Sequence, residues 1–128
     1  MRRILIIDDN PDVLRLTARM VEAAGYVCIS HASAEAGLDA LDHEAVDAVI
    51  TDIRMPGMNG SELILHLKAG FPDLPVIAMS GGGLSNGEEA LTYARRLGAT
   101  AVLAKPFRAT DLAAVLKSVL DGGATRLS

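Results

Sequence analysis

Four short apolar runs, each closed by a polar residue, set the terms for this chain. Ile4-Leu5-Ile6-Ile7 runs into Asp8-Asp9, and Ala48-Val49-Ile50-Thr51 into Asp52. Val76-Ile77-Ala78-Met79 stops at Ser80, and Ala101-Val102-Leu103-Ala104 at Lys105-Pro106. Continuous apolar runs of this length, bounded by helical patterns, read as parallel strands buried on both faces. Ligands of an open parallel sheet bind outside the carboxyl ends of its strands. Asp8, Asp9, Asp52, Ser80 and Lys105 are therefore expected to meet at one rim.

The segments between the runs carry helical spacing. Asn10 is placed to cap a first helix, Pro11 suits its first turn and Gly25 its end. Val13, Leu14, Thr17, Met20, Val21 and Ala24 give that helix one buried face. A second strand spans about Tyr26–Ser30. Ser33 caps a second helix with Ala34, Leu38 and Leu41 inward. A third helix, about Ser61–Lys68, turns Leu63, Ile64 and Leu67 to the core. A fourth starts near Ser85 or Asn86, with Glu88 and Glu89 suited to its positive end. It buries Ala90, Leu91, Ala94 and Leu97 and stops at Gly98. A last helix, about Ala109–Leu120, buries Leu112, Val115, Leu116 and Val119 before Gly122-Gly123. Strands alternating with helices through short loops imply an α/β doubly wound parallel sheet, with helices on both faces.

At 128 residues the chain has the length of one ordinary domain, expected over residues 1–122 with a short tail at 123–128. No apolar stretch reaches bilayer length, and Met1-Arg2-Arg3 leads into only four apolar residues, too few for a signal peptide. The reading is a cytoplasmic protein with no membrane contact. Net charge is −4 with no Lys or Arg cluster, and the chain has no Trp, so neither an electrostatic footprint nor a stacking platform for nucleic acid is present. The single Cys28 reads as an inert, buried thiol.

Three carboxylates brought this close repel one another unless a hard cation joins them, and oxygen-only ligation favours magnesium. Lys105 supplies a compact positive charge, and Ser80 a hydroxyl able to bond a phosphoryl oxygen. Phosphoryl transfer needs mainly positioning and charge neutralisation, which this set offers. One carboxylate can act as nucleophile. Asp52 is the natural choice, since Asp8 and Asp9 form a pair suited to the metal. Taken singly, an Asp-Asp is ordinary turn or cap chemistry, and Ser and Lys-Pro are ordinary turn residues. Their joint placement at the ends of separate strands outweighs that reading. His31, His43 and His66 lack ligand-like spacing, and Met55 and Met58 read as loop packing. The Gly82-to-Gly87 spacing precedes Glu88-Glu89, the wrong charge for a phosphate-cradling loop.

With Asp8-Asp9, the run Asp52-Ile53-Arg54-Met55-Pro56-Gly57-Met58-Asn59-Gly60, Ser80 and Lys105-Pro106-Phe107, nearly the whole chain resembles the receiver domain of two-component response regulators. The resemblance implies a flavodoxin-like strand order 2-1-3-4-5. It implies that Asp52 accepts a phosphoryl group from the phosphohistidine of a sensor histidine kinase. Magnesium would be held by Asp8, Asp9, Asp52 and the backbone carbonyl of Arg54, while Ser80 and Lys105 bind phosphoryl oxygens. It further implies a signalling switch, not an enzyme of outside substrates, that catalyses its own phosphorylation and slow hydrolysis. Its downstream effector would dock on the face made by the fourth helix, fifth strand and fifth helix. The chain departs from the family at Val102, where an aromatic is usual three positions before the lysine, and at the three glycines after Ser80. The expected switch is therefore rearrangement of residues 81–87 and the start of the fourth helix. The reading is a single-domain receiver with output through another protein. The alternatives are a phosphorelay intermediate feeding a histidine phosphotransfer protein, and a receiver excised from a larger regulator or hybrid kinase. A small-phosphoester phosphatase lacks a second acid/base carboxylate, and an FMN binder lacks the phosphate-cradling first loop.

Overall fold

In a computed structural model, the protein is described over residues 2–53, 60–81, 92 and 95–126. Its elements run β1 (Arg3–Ile7), α1 (Pro11–Ala23), β2 (Val27–His31), α2 (Ala34–Leu41), β3 (Ala48–Asp52), α3 (Gly60–Gly70), β4 (Val76–Gly81), β5 (Ala101–Lys105) and a C-terminal helix (Ala109–Arg126). The five strands form one parallel sheet in the order β2-β1-β3-β4-β5. Both the fold class and the strand order match the sequence-based expectation.

Burial follows from the run pattern. All of β3 is buried, and β1 is buried from Ile4 onward. Period-two alternation divides their side chains between two cores. Ile4, Ile6, Ile50, Ile77, Met79 and Leu103 pack toward α1 and the C-terminal helix, meeting Val21, Leu112, Leu116 and Val119. Leu5, Ile7, Val49, Val76 and Ala78 pack toward α2 and α3, meeting Ala34, Leu41, Leu63, Ile64 and Leu67. Each such side chain, fully buried, contributes roughly 1.5–3 kcal/mol of transfer free energy.

The expected caps are present. The Asn10 side chain accepts from the backbone N–H groups of Asp12 and Val13, with Pro11 opening α1, and Ser33 accepts from the N–H of Ala36. Beyond α1 the chain turns through Gly25 at φ +98°, and Gly98 stands at φ +116°, a region glycine enters without steric cost. In α2, Gly37 lies so close to β1 that a methyl at its Cα would land on the Ile7 side chain.

The boundaries differ from expectation at several element ends: α3 runs Gly60–Gly70 instead of about Ser61–Lys68, and β3 and β5 each take in one further residue, Asp52 and Lys105. β2 is shifted one residue later, and β4 continues to Gly81 because its ladder with β5 extends through the pairs Ser80–Ala104 and Gly81–Lys105. The C-terminal helix runs through Gly122-Gly123 to Arg126 instead of stopping at about Leu120, so the expected tail begins as helix. Glycine permits a left-handed stop but does not compel one, at roughly 1 kcal/mol each inside a helix. Of the expected fourth helix, Thr92 and residues 95–97 are helical and Leu97 packs on the α2/α3 core. Its start at Ser85 or Asn86, and the 82–87 part of the expected switch segment, lie outside the described residues. No helix among the described residues is long and apolar enough to cross a membrane.

Candidate functional site

The alternation that sorts the two cores also carries three strand ends to one face. Asp8 follows Ile6 by two residues, Asp52 follows Ile50 and Lys105 follows Leu103, so all three fall on the side of α1 and the C-terminal helix. The ladders fix their relative height. Ile7 pairs with Thr51 between β1 and β3, and Asp52 with Met79 between β3 and β4. Backbone bonds continue past the strand ends, with the Asp8 N–H donating to His31 O at 3.2 Å and the Ile53 N–H to Met79 O at 3.0 Å.

Charge is concentrated in little solvent. Asp8 has no exposed surface, Asp52 is buried and Asp9 is exposed. One carboxylate oxygen from each of Asp8, Asp9 and Asp52 lies within 4.8 Å of the others. The Lys105 ammonium donates to Asp8 Oδ2 at 3.0 Å and stands 3.4 Å from Asp52 Oδ2. The second Asp8 oxygen, Oδ1, accepts the Asn10 N–H at 2.9 Å. Asp8 is thereby held at both oxygens, by a cation and by the backbone that begins α1. A bond from the Thr51 hydroxyl to the Asp52 carbonyl at 3.0 Å steadies the end of β3.

The donor set suits magnesium. All three side chains offer oxygen, and oxygens on opposite sides of an ion bound at about 2.1 Å stand about 4.2 Å apart. The carboxylate oxygens of Asp8, Asp9 and Asp52, mutually within 4.8 Å, are near enough to turn toward one such ion. Magnesium retains water and tolerates an incomplete protein cage, so three carboxylates suffice as its core.

Of the expected site residues, the structure brings Asp8, Asp9, Asp52 and Lys105 together. Ser80 stands at the same rim of the sheet, buried, one residue beyond the Asp52–Met79 pair and opposite Ala104. Arg54 lies outside the described residues. Sequence reasoning missed the Asn10 N–H and the Thr51 hydroxyl as supports. Asn10 signalled only a helix cap, and Thr51 only the end of an apolar run.

The sequence family described as "Response regulator receiver domain" matches residues 4–117. The chain belongs to this family. Receiver domains are signalling switches of two-component systems that interact with histidine kinases and effectors and bind magnesium at an acidic pocket. Among relatives, the chain is 36% identical over 114 residues to the sensory/regulatory protein RpfC of Xanthomonas campestris pv. campestris, covering 86% of this chain and 15% of that protein. It is 33% identical over 118 residues to the transcriptional regulatory protein FixJ of Bradyrhizobium diazoefficiens, covering 91% and 56%. The chain thus spans a minor part to about half of these curated relatives. Among solved structures, the receiver domain of NtrX from Brucella abortus superposes with a TM-score of 0.86 at 32% identity, over 92% of this chain and 98% of that one. A receiver domain protein from Clostridium thermocellum superposes at 0.88 with 27% identity, over 98% of each.

Cys28 is half-buried, its Sγ 3.4 Å from the Ser30 hydroxyl. Burial pushes its thiol above the ordinary range, and the Glu22 charge adds to this against the opposing hydrogen bond. That fits an unreactive thiol. His31 is half-buried and His43 and His66 are exposed. Among the described residues, none of the three belongs to a group of metal-ligating side chains.

Proposed function

We propose that this receiver takes a phosphoryl group on Asp52 from the phosphohistidine of a sensor kinase or a histidine phosphotransfer protein, and that this changes its affinity for an effector. The observation that carries the proposal is the ammonium of Lys105, 3.0 Å and 3.4 Å from two carboxylates at a buried sheet rim. A buried acidic cluster with a fixed cation at its edge is built to receive further negative charge once a dication joins it. Magnesium would be held by Asp8, Asp9 and Asp52, and by the Arg54 carbonyl on the strength of family resemblance. When bound, it neutralises phosphoryl oxygens.

The rest falls to the chain. A carboxylate oxygen of Asp52 attacks phosphorus, and the bond from phosphorus to the imidazole nitrogen breaks with its electrons going to the nitrogen. The product is an acyl phosphate on Asp52 and a free imidazole. Lys105 then follows the charge from the carboxylate to the phosphoryl group, and Ser80 donates its hydroxyl to a phosphoryl oxygen. Hydrolysis by water at phosphorus restores the Asp52 carboxylate and releases inorganic phosphate, resetting the switch. The effector surface comprises the fourth helix, β5 and the C-terminal helix, where half-buried Val102 stands in place of a family aromatic.

The test uses radiolabelled acetyl phosphate as a small donor. The parent protein is expected to take up a hydroxylamine-labile label that needs Mg2+ and disappears with EDTA. Asp52→Asn should take up none. Undiminished labelling of that variant places the acceptor elsewhere and overturns the proposal.

A further inference from the structure

The end of the sheet remote from the carboxylates carries a second feature. The segment 41–47 leads into β3 and the segment 71–75 into β4, and between them run two adjoining cavities of about 410 Å³ and 380 Å³. Both are lined by Val46, Phe71 and Leu74, so they form one groove with a shared apolar floor. Phe71 is 37% exposed, one of the few large apolar side chains on the described surface. Its backbone is pinned on both sides, its N–H donating to Leu67 O at 2.7 Å and its carbonyl accepting from Leu74 at 3.0 Å. The ring is therefore presented on a fixed frame.

The rim is of one sign. Asp42, Asp47 and Asp73 are exposed along it, and no lysine or arginine is among the described lining residues. Glu44, also on the lining, is already paired with Arg3 at 2.7 Å, and Asp47 Oδ2 accepts the Arg3 N–H at 2.7 Å, which ties this wall to β1. Three carboxylates around an apolar floor repel acidic surfaces and attract cations, while the floor rewards only a partner that also brings an apolar group.

We propose that this groove docks an extended segment of a partner protein that presents one large apolar side chain flanked by lysine or arginine. The groove lies across the sheet from the phosphoryl site. Five-residue strands at about 3.3 Å per residue separate the two by about 16 Å. A partner can therefore stay bound while Asp52 is loaded and unloaded, and the groove's occupancy is independent of the reading of Asp52.

A fluorescein-labelled pentapeptide with one phenylalanine between two pairs of lysines serves as probe. It is measured by anisotropy on the full chain at pH 8. Binding is expected to weaken with salt and to fall about tenfold or more in Phe71→Ala. The double variant Asp42→Lys/Asp73→Lys, changed only at exposed positions, should lose it equally while keeping the parent circular dichroism. A control peptide with glutamates for lysines should not bind. Equal binding of the two peptides, or parent-like binding by the double variant, overturns the proposal. So does concentration-dependent dimerisation in sedimentation that Phe71→Ala abolishes, because the occupant would then be a second copy of this chain.

Discussion

Replacing Lys105 with methionine separates the two ways this site can hold its charge together. The stem length is nearly kept and the ammonium is lost. At an effective dielectric of about 20, an ion pair at 3.0 Å is worth about 5.5 kcal/mol and one at 3.4 Å about 5 kcal/mol before desolvation. Most of that is offset by the cost of burying the charges. Removing one partner of such a pair, however, leaves the other buried and uncompensated, at about 3–5 kcal/mol. Asp8 has no exposed surface and Lys105 retains some contact with solvent, so about 3 kcal/mol is expected. The same change removes a positive charge that repels an incoming dication. Mg2+ should therefore bind Lys105→Met at least tenfold more tightly and stabilise it by at least about 1.4 kcal/mol more than the parent when both are well above their dissociation constants. The chain has no Trp, so the assay is urea unfolding followed by far-ultraviolet circular dichroism, with Mg2+ and with EDTA. The stability gap should be wide in EDTA and narrow in Mg2+. A variant as stable as the parent in EDTA, or an equal Mg2+ increment in both proteins, refutes the assignment of Lys105 as the counter-charge of this cluster.

Two further outcomes follow from packing and burial. Gly37→Ala should lower stability by about 1–3 kcal/mol despite the better helix propensity of alanine, because the new methyl meets Ile7, its Cγ1 at 2.8 Å, in a site with no exposed surface. Thermal melts check this: Ile7→Val, which removes Cδ1, should shrink the penalty in the double variant, and a Gly37→Ala protein more stable than the parent contradicts the close approach. Cys28, with its thiol pushed up mainly by burial, keeps its proton in the fold after an unfolded chain has lost it. Its contribution to stability is thus full below the ordinary thiol range and is lost as pH rises from there through the raised folded value. Cys28→Ala should flatten that alkaline decline, and in the parent iodoacetamide should label Cys28 more slowly than a free cysteine until urea is added.

The sheet was legible because its strands are short, apolar at nearly every position and separated by helices with caps. Asn10, Ser33, Gly25 and Gly98 act where their chemistry suggests. The convergence of Asp8, Asp52 and Lys105 was legible for the same reason, since each follows a buried run at the carboxyl end of its strand, while the face they share was not read from the sequence. Ends set by pairing were less so. β4 extends to Gly81 because β5 lies beside it, which a local pattern does not contain. Lys105 and Asp8, 97 positions apart, were expected at one rim from their strand ends, but the direct ion pair between them was not. The Asn10 N–H on Asp8 was hidden because the same residue already had a reason to be there as a cap. The groove at Phe71 was invisible for a further reason: its two walls are loops, whose residues looked like ordinary connections until the fold set them side by side.

The ladder pairing Ile7 with Thr51 also limits how this acidic hollow can vary. Positions along neighbouring strands change in whole steps, and a single step would turn a carboxylate from one side of the sheet to the other. No intermediate setting exists in which Asp8 and Asp52 drift slightly apart along their strands. Insertions within β1 or β3 should therefore be all-or-none in effect, and finer adjustment of the hollow is left to which side chains stand at the rim.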